Sequence, residues 1–502
     1  MSSDIGETRL ADPVVRRPRL PAIRTQLLIG GEWREPTTTA GRSVLTVFDP
    51  ATGESLAEVA DATVDDADAA VDAVSVAFGT WSRTSPRYRA DLLRAAFDRL
   101  MERAHEFATV ITSEMGKPLA ESLAEVRYGG EFLRWFAEET VRTSGTTRTA
   151  PDGAAVHMTI RQPVGPALLI TPWNFPLAMV TRKIAPALAA GCTVVVKPAE
   201  ETPLTALLFA ELLETVGVPP GVVNVLTTSR PAPVVSRILD DRRIRKLSFT
   251  GSTGVGRALL AASATGVLRT SMELGGNAPF IVFDDADIES AVEGAVIAKL
   301  RNGGQSCVAA NRFIVDRRVA DEFLARFADR LRAQVVGSGF DPATTLGPMI
   351  SVKQRDRAAE LVRSAVAGGA STVVASGIED DSTFLGPILL DNVDRRGAIA
   401  EQEIFGPVAP VYRVDSEEEA LDVASNTEAG LVGFAYSRDA ARLMRAATAL
   451  ECGMVGLNRG LVSDASAPFG GIKQSGLGRE GSEAGTHEYL ETKYISHPFP
   501  AV

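Results

Sequence analysis

Two hydrophobic rhythms divide this chain. From Thr63 to about residue 140 the apolar positions recur every three to four residues, as in Leu92, Leu93, Ala96, Phe97 and Leu100, which predicts amphipathic helices. Thr63 caps the first of them, with Asp65, Asp66 and Asp68 in the opening turn, where the helix dipole favours negative charge. The cluster Phe132, Trp135 and Phe136 reads as core. From residue 160 onward, short unbroken apolar runs take over: Ala167–Thr171, Thr193–Lys197, Val222–Leu226 and Leu247–Thr250. Helical stretches at 177–190, 203–216 and 232–239 separate them. Strands apolar on both faces, joined by helical crossovers, predict a parallel α/β sheet covered on both sides.

A second α/β unit follows residue 274, with strands at Pro279–Phe283 and Phe313–Val315 and helices at 319–336, in EEEALDVASN and in DAARLMRAATAL. Before the sheet region, LLIGGEWR (27–34) reads as a hairpin around Gly-Gly, and VFDPATGE as a strand entering a turn. SAPFGGIKQSGLGREGS reads as backbone-driven loop, and EYLETKYISHPF as a terminal strand whose edge invites pairing. The first 20 or so residues, with Asp4, Glu7 and Asp12 and no apolar stretch, read as a mobile arm.

The 502 residues suffice for two or three domains, and a net charge of −11 gives no basic field for nucleic acid or an acidic membrane. No apolar run reaches the ~20 residues of a membrane span, so the expected location is the cytoplasm. Three cysteines, Cys192, Cys307 and Cys452, suit a reducing compartment. The four histidines are scattered without metal-ligand spacing, so no metal is expected.

Candidate chemistry gathers where the sheet strands end, the place where ligands of such sheets bind. PWNF, KPAE, TTSR and GSTGVG follow the four strands. GSTGVG (251–256) lies between a strand and a helix start, where free amides hold phosphate; it also serves as a plain turn. In KPAE, Glu200 can accept from both hydroxyls of an adenosine ribose and would repel a 2′-phosphate; a solvated Lys197/Glu200 pair is the other reading. Glu273, in the apolar MELGGNAPFIVF, is either a buried structural carboxylate or a base whose pKa burial raises towards working pH. Cys307 stands in RNGGQSCVAANR, where Gly303 and Gly304 leave room for approach; it is either a nucleophile or a small buried hydrophobe.

WNFP, KPAE, FTGSTGVG, ELGG, GQSC and EIFGP occur in the order and at about the spacing of the aldehyde dehydrogenase superfamily, which the chain resembles from about residue 25 to 497. KLSFTGS, ELGGNAPFIVFDDAD, APFGGIKQSGLGREGS and EYLETKY are most similar to its succinate-semialdehyde branch. The resemblance implies a Rossmann-like cofactor domain (25–144 and 164–274), an α/β catalytic domain (275–485) and a small β oligomerisation arm (145–163 and 486–502), after an N-terminal arm (1–24). It implies homodimers or homotetramers.

It also implies roles. Cys307 matches the nucleophile, Glu273 the general base, Asn174 the oxyanion donor completed by the Cys307 amide, and Lys183 a supporting lysine. Thr171, Trp173, Asn174, Lys197, Glu200, Gly251, Ser252, Leu274, Glu403 and Phe405 match the cofactor contacts. Arg182, Arg301 and Ser463 match the binders of a substrate carboxylate. The implied reaction is NAD(P)-dependent oxidation of an aldehyde, foremost succinate semialdehyde, through a thiohemiacetal and a thioester. The alternatives are glutarate semialdehyde, a neutral aliphatic aldehyde, or a catalytically silent member. Glu200 favours NAD, with NADP possible, since relatives with serine there often use NADP. Two departures stand out: Ala309 replaces a second cysteine, and Thr228 replaces a glycine near the adenine end.

Overall fold

The computed structural model describes residues 9–10, 17–37, 43–376 and 382–498. Residues 1–8 and 11–16 of the expected N-terminal arm, and 499–502 of the C-terminal segment, lie outside the described residues. Residues 17–24 lie on the body: Arg17 pairs with Asp49 at 3.1 Å, and Leu20 and Ile23 pack on the core.

The helical region resolves into four helices, Val64–Trp81, Pro86–Glu102, Ala104–Met115 and Leu119–Thr140. Thr63 caps the first in a capping box with Asp66. The first packs on an eight-stranded sheet of order Gly476–Leu477, Arg269–Glu273, Lys246–Thr250, Ala167–Ile170, Val194–Lys197, Val223–Val225, Leu27–Ile29, Glu32–Arg34, and the other three pack on one another and on the crossover helices Ala178–Ala190 and Leu204–Thr215. The five strands from Arg269–Glu273 to Val223–Val225 run parallel, so their carboxyl ends share one edge. Each is fully or largely buried, as expected for a sheet covered by crossover helices.

A seven-stranded sheet, Ser371–Val374, Ile388–Asp391, Val408–Val414, Ala310–Asp316, Ala278–Val282, Val432–Tyr436, Met454–Leu457, forms the second unit. Its strand pairs are parallel except at the Ser371–Val374 edge. A third sheet stands apart: Leu490–Pro498 pairs antiparallel with Ala155–Pro163, which pairs with Thr146–Thr149.

Three details differ from the pattern. The strand expected at Val47 is half of a hairpin, Val44–Phe48 with Ser55–Ala60. The helix expected over 319–336 spans Arg317–Arg332, because Val335–Val336 turns extended to pair with the backbone of Arg9–Leu10. Within the glycine-rich stretch expected as loop, Gly476–Leu477 adds an edge strand beside Met272 and Glu273.

Candidate active site

The shared strand edge supplies one side of the site. Ile170 runs into Thr171–Phe175, Lys246–Thr250 ends at Gly251, and Arg269–Glu273 delivers Glu273 as its last residue. The other side is the turn before Ala310–Asp316, which carries Cys307. That turn demands unusual backbone: Asn302, Gly303 and Gly304 have φ of 58°, 62° and 72°. A Cβ at Gly304 would stand 2.3 Å from the Gly406 carbonyl oxygen, so only glycine fits there.

Trp173, Asn174, Gly251, Ser252, Glu273, Leu274, Cys307, Glu403 and Phe405 line one cavity of about 140 Å³, together with Gln354 and Arg357. Asn174 is 3 % exposed; its Nδ2 donates to the Gln305 carbonyl at 3.0 Å, and its Oδ1 has no partner. The amide therefore keeps a second N–H for a ligand. Both Glu273 oxygens are buried without a hydrogen-bond partner. Burial first, and then the Glu480 carboxylate, push its pKa well above the usual range, against Arg182 and Lys183. Burial pushes the Cys307 thiol up to about 12, opposed by Arg182 and reinforced by Glu403 and Glu273.

Beneath these groups lies a charge cluster. Lys183 donates to Glu480 at 2.5 Å and to Ser248 Oγ at 3.0 Å. Arg182 pairs with the other Glu480 oxygen, and Phe469 stacks on its guanidinium at 4.3 Å. Burial works to raise the pKa of Glu480, but the two cations outweigh it and hold the carboxyl below its ordinary value. Arg301 makes no direct ion pair among the described residues, though its charge acts on the Glu121 carboxylate; its guanidinium lies 5.0 Å from the Phe175 ring and 5.7 Å from that of Tyr128. Ser463 sits half-buried in the segment leading to Phe469.

The remaining expected positions suit a dinucleotide. Ser252 caps the helix Thr253–Gly266, whose first amides are free of intrahelical bonds. The buried Thr250 hydroxyl lacks a partner. Lys197 and Glu200 pair at 3.1 Å, which leaves one Glu200 oxygen open. Glu403 accepts from the Gly276 N–H at 3.2 Å, and a Cβ on Gly275 would lie 2.7 Å from its other oxygen. Burial raises Glu403 to about 7, against Gly276, Arg357 and Lys299. Trp173 meets Phe405 edge to face at 5.3 Å, and Phe405 holds φ 52°. Orphaned polar atoms, a glycine cradle and a capped helix start together fit NAD(P). At the adenine end, Thr228 is tied to Asp61 at 3.1 Å, so its hydroxyl anchors the loop.

Sequence reasoning missed Glu480, Lys117, Glu125, Gln305 and Arg357. Glu480 left a signal, a lone carboxylate in a glycine-rich run, and Gln305 stood unremarked inside the GQSC motif; Lys117, Glu125 and Arg357 left none nearby.

Fold and site together define a thiol-dependent oxidoreductase built on a dinucleotide-binding sheet. The aldehyde dehydrogenase family profile matches residues 33–495. A succinate-semialdehyde dehydrogenase of Paenarthrobacter nicotinovorans is 53% identical over 441 residues, 88% of this chain and 98% of the relative. An NADP-dependent enzyme of E. coli superposes with a TM-score of 0.93 at 43% identity, covering 95% of this chain and 98% of that one. A betaine aldehyde dehydrogenase of Staphylococcus aureus, solved with NAD+, gives 0.92 at 34% identity, covering 96% of each chain. The chain belongs to the aldehyde dehydrogenase family, enzymes that oxidise aldehydes with NAD(P). Among the described residues, no helix is long and apolar enough to cross a membrane, and no three His, Cys, Asp or Glu side chains gather as metal ligands.

Proposed function

We propose that this enzyme oxidises succinate semialdehyde to succinate, with NAD preferred over NADP. The observation that carries the substrate is Arg301: a cation beside the Asn174–Cys307 pocket, flanked by Phe175 and Tyr128 and without an ion pair among the described residues. A four-carbon semialdehyde places its carboxylate on such a cation while its aldehyde carbon meets Cys307. Arg182 and Ser463 complete the carboxylate site, Arg182 through guanidinium donors not engaged by Glu480. The name of the Paenarthrobacter relative supports the same substrate.

In the reaction, the Cys307 thiol gives its proton to solvent and its sulfur bonds to the aldehyde carbon, while the carbonyl π pair moves onto the oxygen. The free Asn174 N–H and the Cys307 amide hold the oxyanion; one such donor contributes roughly 3–4 kcal/mol. NAD(P), held by the residues named below, would supply the acceptor for the aldehyde hydrogen and its electron pair, so that Cys307 would carry a thioester. Glu273 removes a proton from water as the water attacks that thioester; the C–S bond breaks and succinate leaves. Lys183 supports Glu273 electrostatically through the Glu480 cluster. Thr171, Trp173, Gly251, Ser252, Leu274, Glu403 and Phe405 bind the cofactor. Glu200, with Lys197, receives the adenosine ribose and disfavours a 2′-phosphate.

The enzyme works in the cytoplasm as a homodimer or homotetramer, assembled through the sheet that Leu490–Pro498 completes, whose residues are mostly exposed in one chain. Nicotinamide reduction by purified protein, with succinate semialdehyde or butanal and with NAD or NADP, tests the proposal. A strong preference for the semialdehyde with NAD is expected. Equal rates on both aldehydes would remove the assigned substrate, and a preference for NADP would overturn the role given to Glu200.

A further inference from the structure

The helix Ala104–Met115 ends at Gly116, whose φ of 92° turns the chain inward. A Cβ at Gly116 would stand 2.5 Å from Pro348, so the turn is wedged against its neighbours. The next residue, Lys117, is 3 % exposed. Its Nζ donates to Glu125 Oε2 at 2.6 Å and to the Asn174 carbonyl at 2.7 Å, and lies 4.0 Å from the centre of the Phe175 ring. No other charged group reaches that carbonyl among the described residues. Its second donor is Asn302 Nδ2 at 2.9 Å, and the Asn302 N–H is held by Glu121 Oε2 at 2.8 Å. One helix, Leu119–Thr140, therefore grips the Cys307 turn through Glu121 and the Asn174 peptide through Glu125 and Lys117.

A buried ion pair is a poor route to stability alone, since apolar side chains of like volume serve as well or better. This pair reaches instead to the peptide that aims the reacting amide. Arg301 lies 5.0 Å from the same Phe175 ring, so the same peptide sets the ring on which that cation rests.

We propose that Lys117, held by Glu125, is a positioning residue for the oxyanion donor Asn174 and, through Phe175, for Arg301. The proposal rests on the roles given above to Asn174 and Arg301. Lys117→Met alone leaves Glu125 buried and unpaired, so the test is the double variant Lys117→Met with Glu125→Gln. There the Gln carbonyl still accepts from the Leu177 and Ala178 amides, as Glu125 does at 2.9 and 3.2 Å.

Stoichiometric alkylation of Cys307 by iodoacetamide, mapped by mass, counts correctly folded sites. Per alkylatable site, kcat on butanal is expected to fall by about 10²-fold, the effect of misplacing a reacting group by ~1 Å. On succinate semialdehyde KM should rise as well, a split that mere loss of folded protein would not produce. A crystal structure of the double variant decides the point independently of turnover: the Asn174 amide is expected to leave the Gln305 carbonyl. An unmoved Asn174, or kcat per site unchanged in a wild type that turns over aldehyde, would overturn the proposal. A wild type inactive on every aldehyde, with Asn174 displaced in the variant, would sink the substrate reading and leave the positioning role standing.

Discussion

Arg182 is ion-paired to Glu480, and both are buried, with the Arg182 charge acting on Glu273 and Cys307. The charge of Arg182 is thereby engaged in a direct ion pair, whereas Arg301 makes none among the described residues and feels the Glu121 carboxylate only at longer range. Arg301→Ala is expected to raise KM for succinate semialdehyde by about 30-fold or more, from the ~2 kcal/mol lower bound for truncating one partner of a charge pair. Butanal kinetics should stay within a few-fold. Steady-state kinetics on the two aldehydes check this.

Glu480→Gln removes the anion between two buried cations. Breaking such a pair costs about 3–5 kcal/mol, so the melting temperature should fall clearly. The same change shifts a pH profile in a defined direction. The Glu480 carboxylate helps to raise the pKa of Glu273, so its loss lowers that pKa, and the base ionises at lower pH. The acid limb of the kcat profile should move to lower pH; a limb that moves up or stays fixed would contradict the coupling.

Glu273→Gln should spare acylation and block hydrolysis. A burst of reduced cofactor, one per Cys307, is expected in rapid-mixing experiments, followed by turnover about 10²–10⁴-fold slower. Mass spectrometry should find the acyl group on Cys307.

Cofactor affinity should depend on pH through Glu403. Its carboxyl, raised to about 7, is protonated below neutrality and becomes a full acceptor for ribose hydroxyls as pH rises through 7. NAD binding, followed by calorimetry, should tighten from pH 6 to pH 8, by no more than about tenfold per pH unit. Glu403→Gln should flatten that slope.

Gly276→Ala probes packing around the nucleophile. A Cβ there would lie 2.4 Å from the Cys307 carbonyl oxygen, so the turn must shift. Loss of about 1–3 kcal/mol in stability is expected from overpacking, with a larger loss in kcat. Denaturant unfolding alongside kinetics separates the two.

The parallel sheets were legible because strands buried on both faces leave long apolar runs between crossover helices. The candidate catalytic positions were legible through short motifs, because strand ends and glycine turns are local. Cys307, Glu273 and Asn174 come from three such segments, and the fold gathers them in one place. Contacts between distant segments left no such trace. Lys117 meets Asn174 only because a helix end is wedged against another loop, and Glu480 meets Arg182 only because Gly476–Leu477 pairs beside Glu273. Lys197 and Glu200 do pair, and that pairing is common to the ribose-acceptor and the solvated-pair readings of KPAE.

The placement of Glu480 makes the charge balance of the site a long-range matter. The carboxylate that balances Arg182 and Lys183 lies 297 residues beyond Lys183 along the chain. The two cations are neutralised only when segments far apart in sequence close on one another. A chain folded around them without that closure would bury both uncompensated, at a cost of about 3–5 kcal/mol.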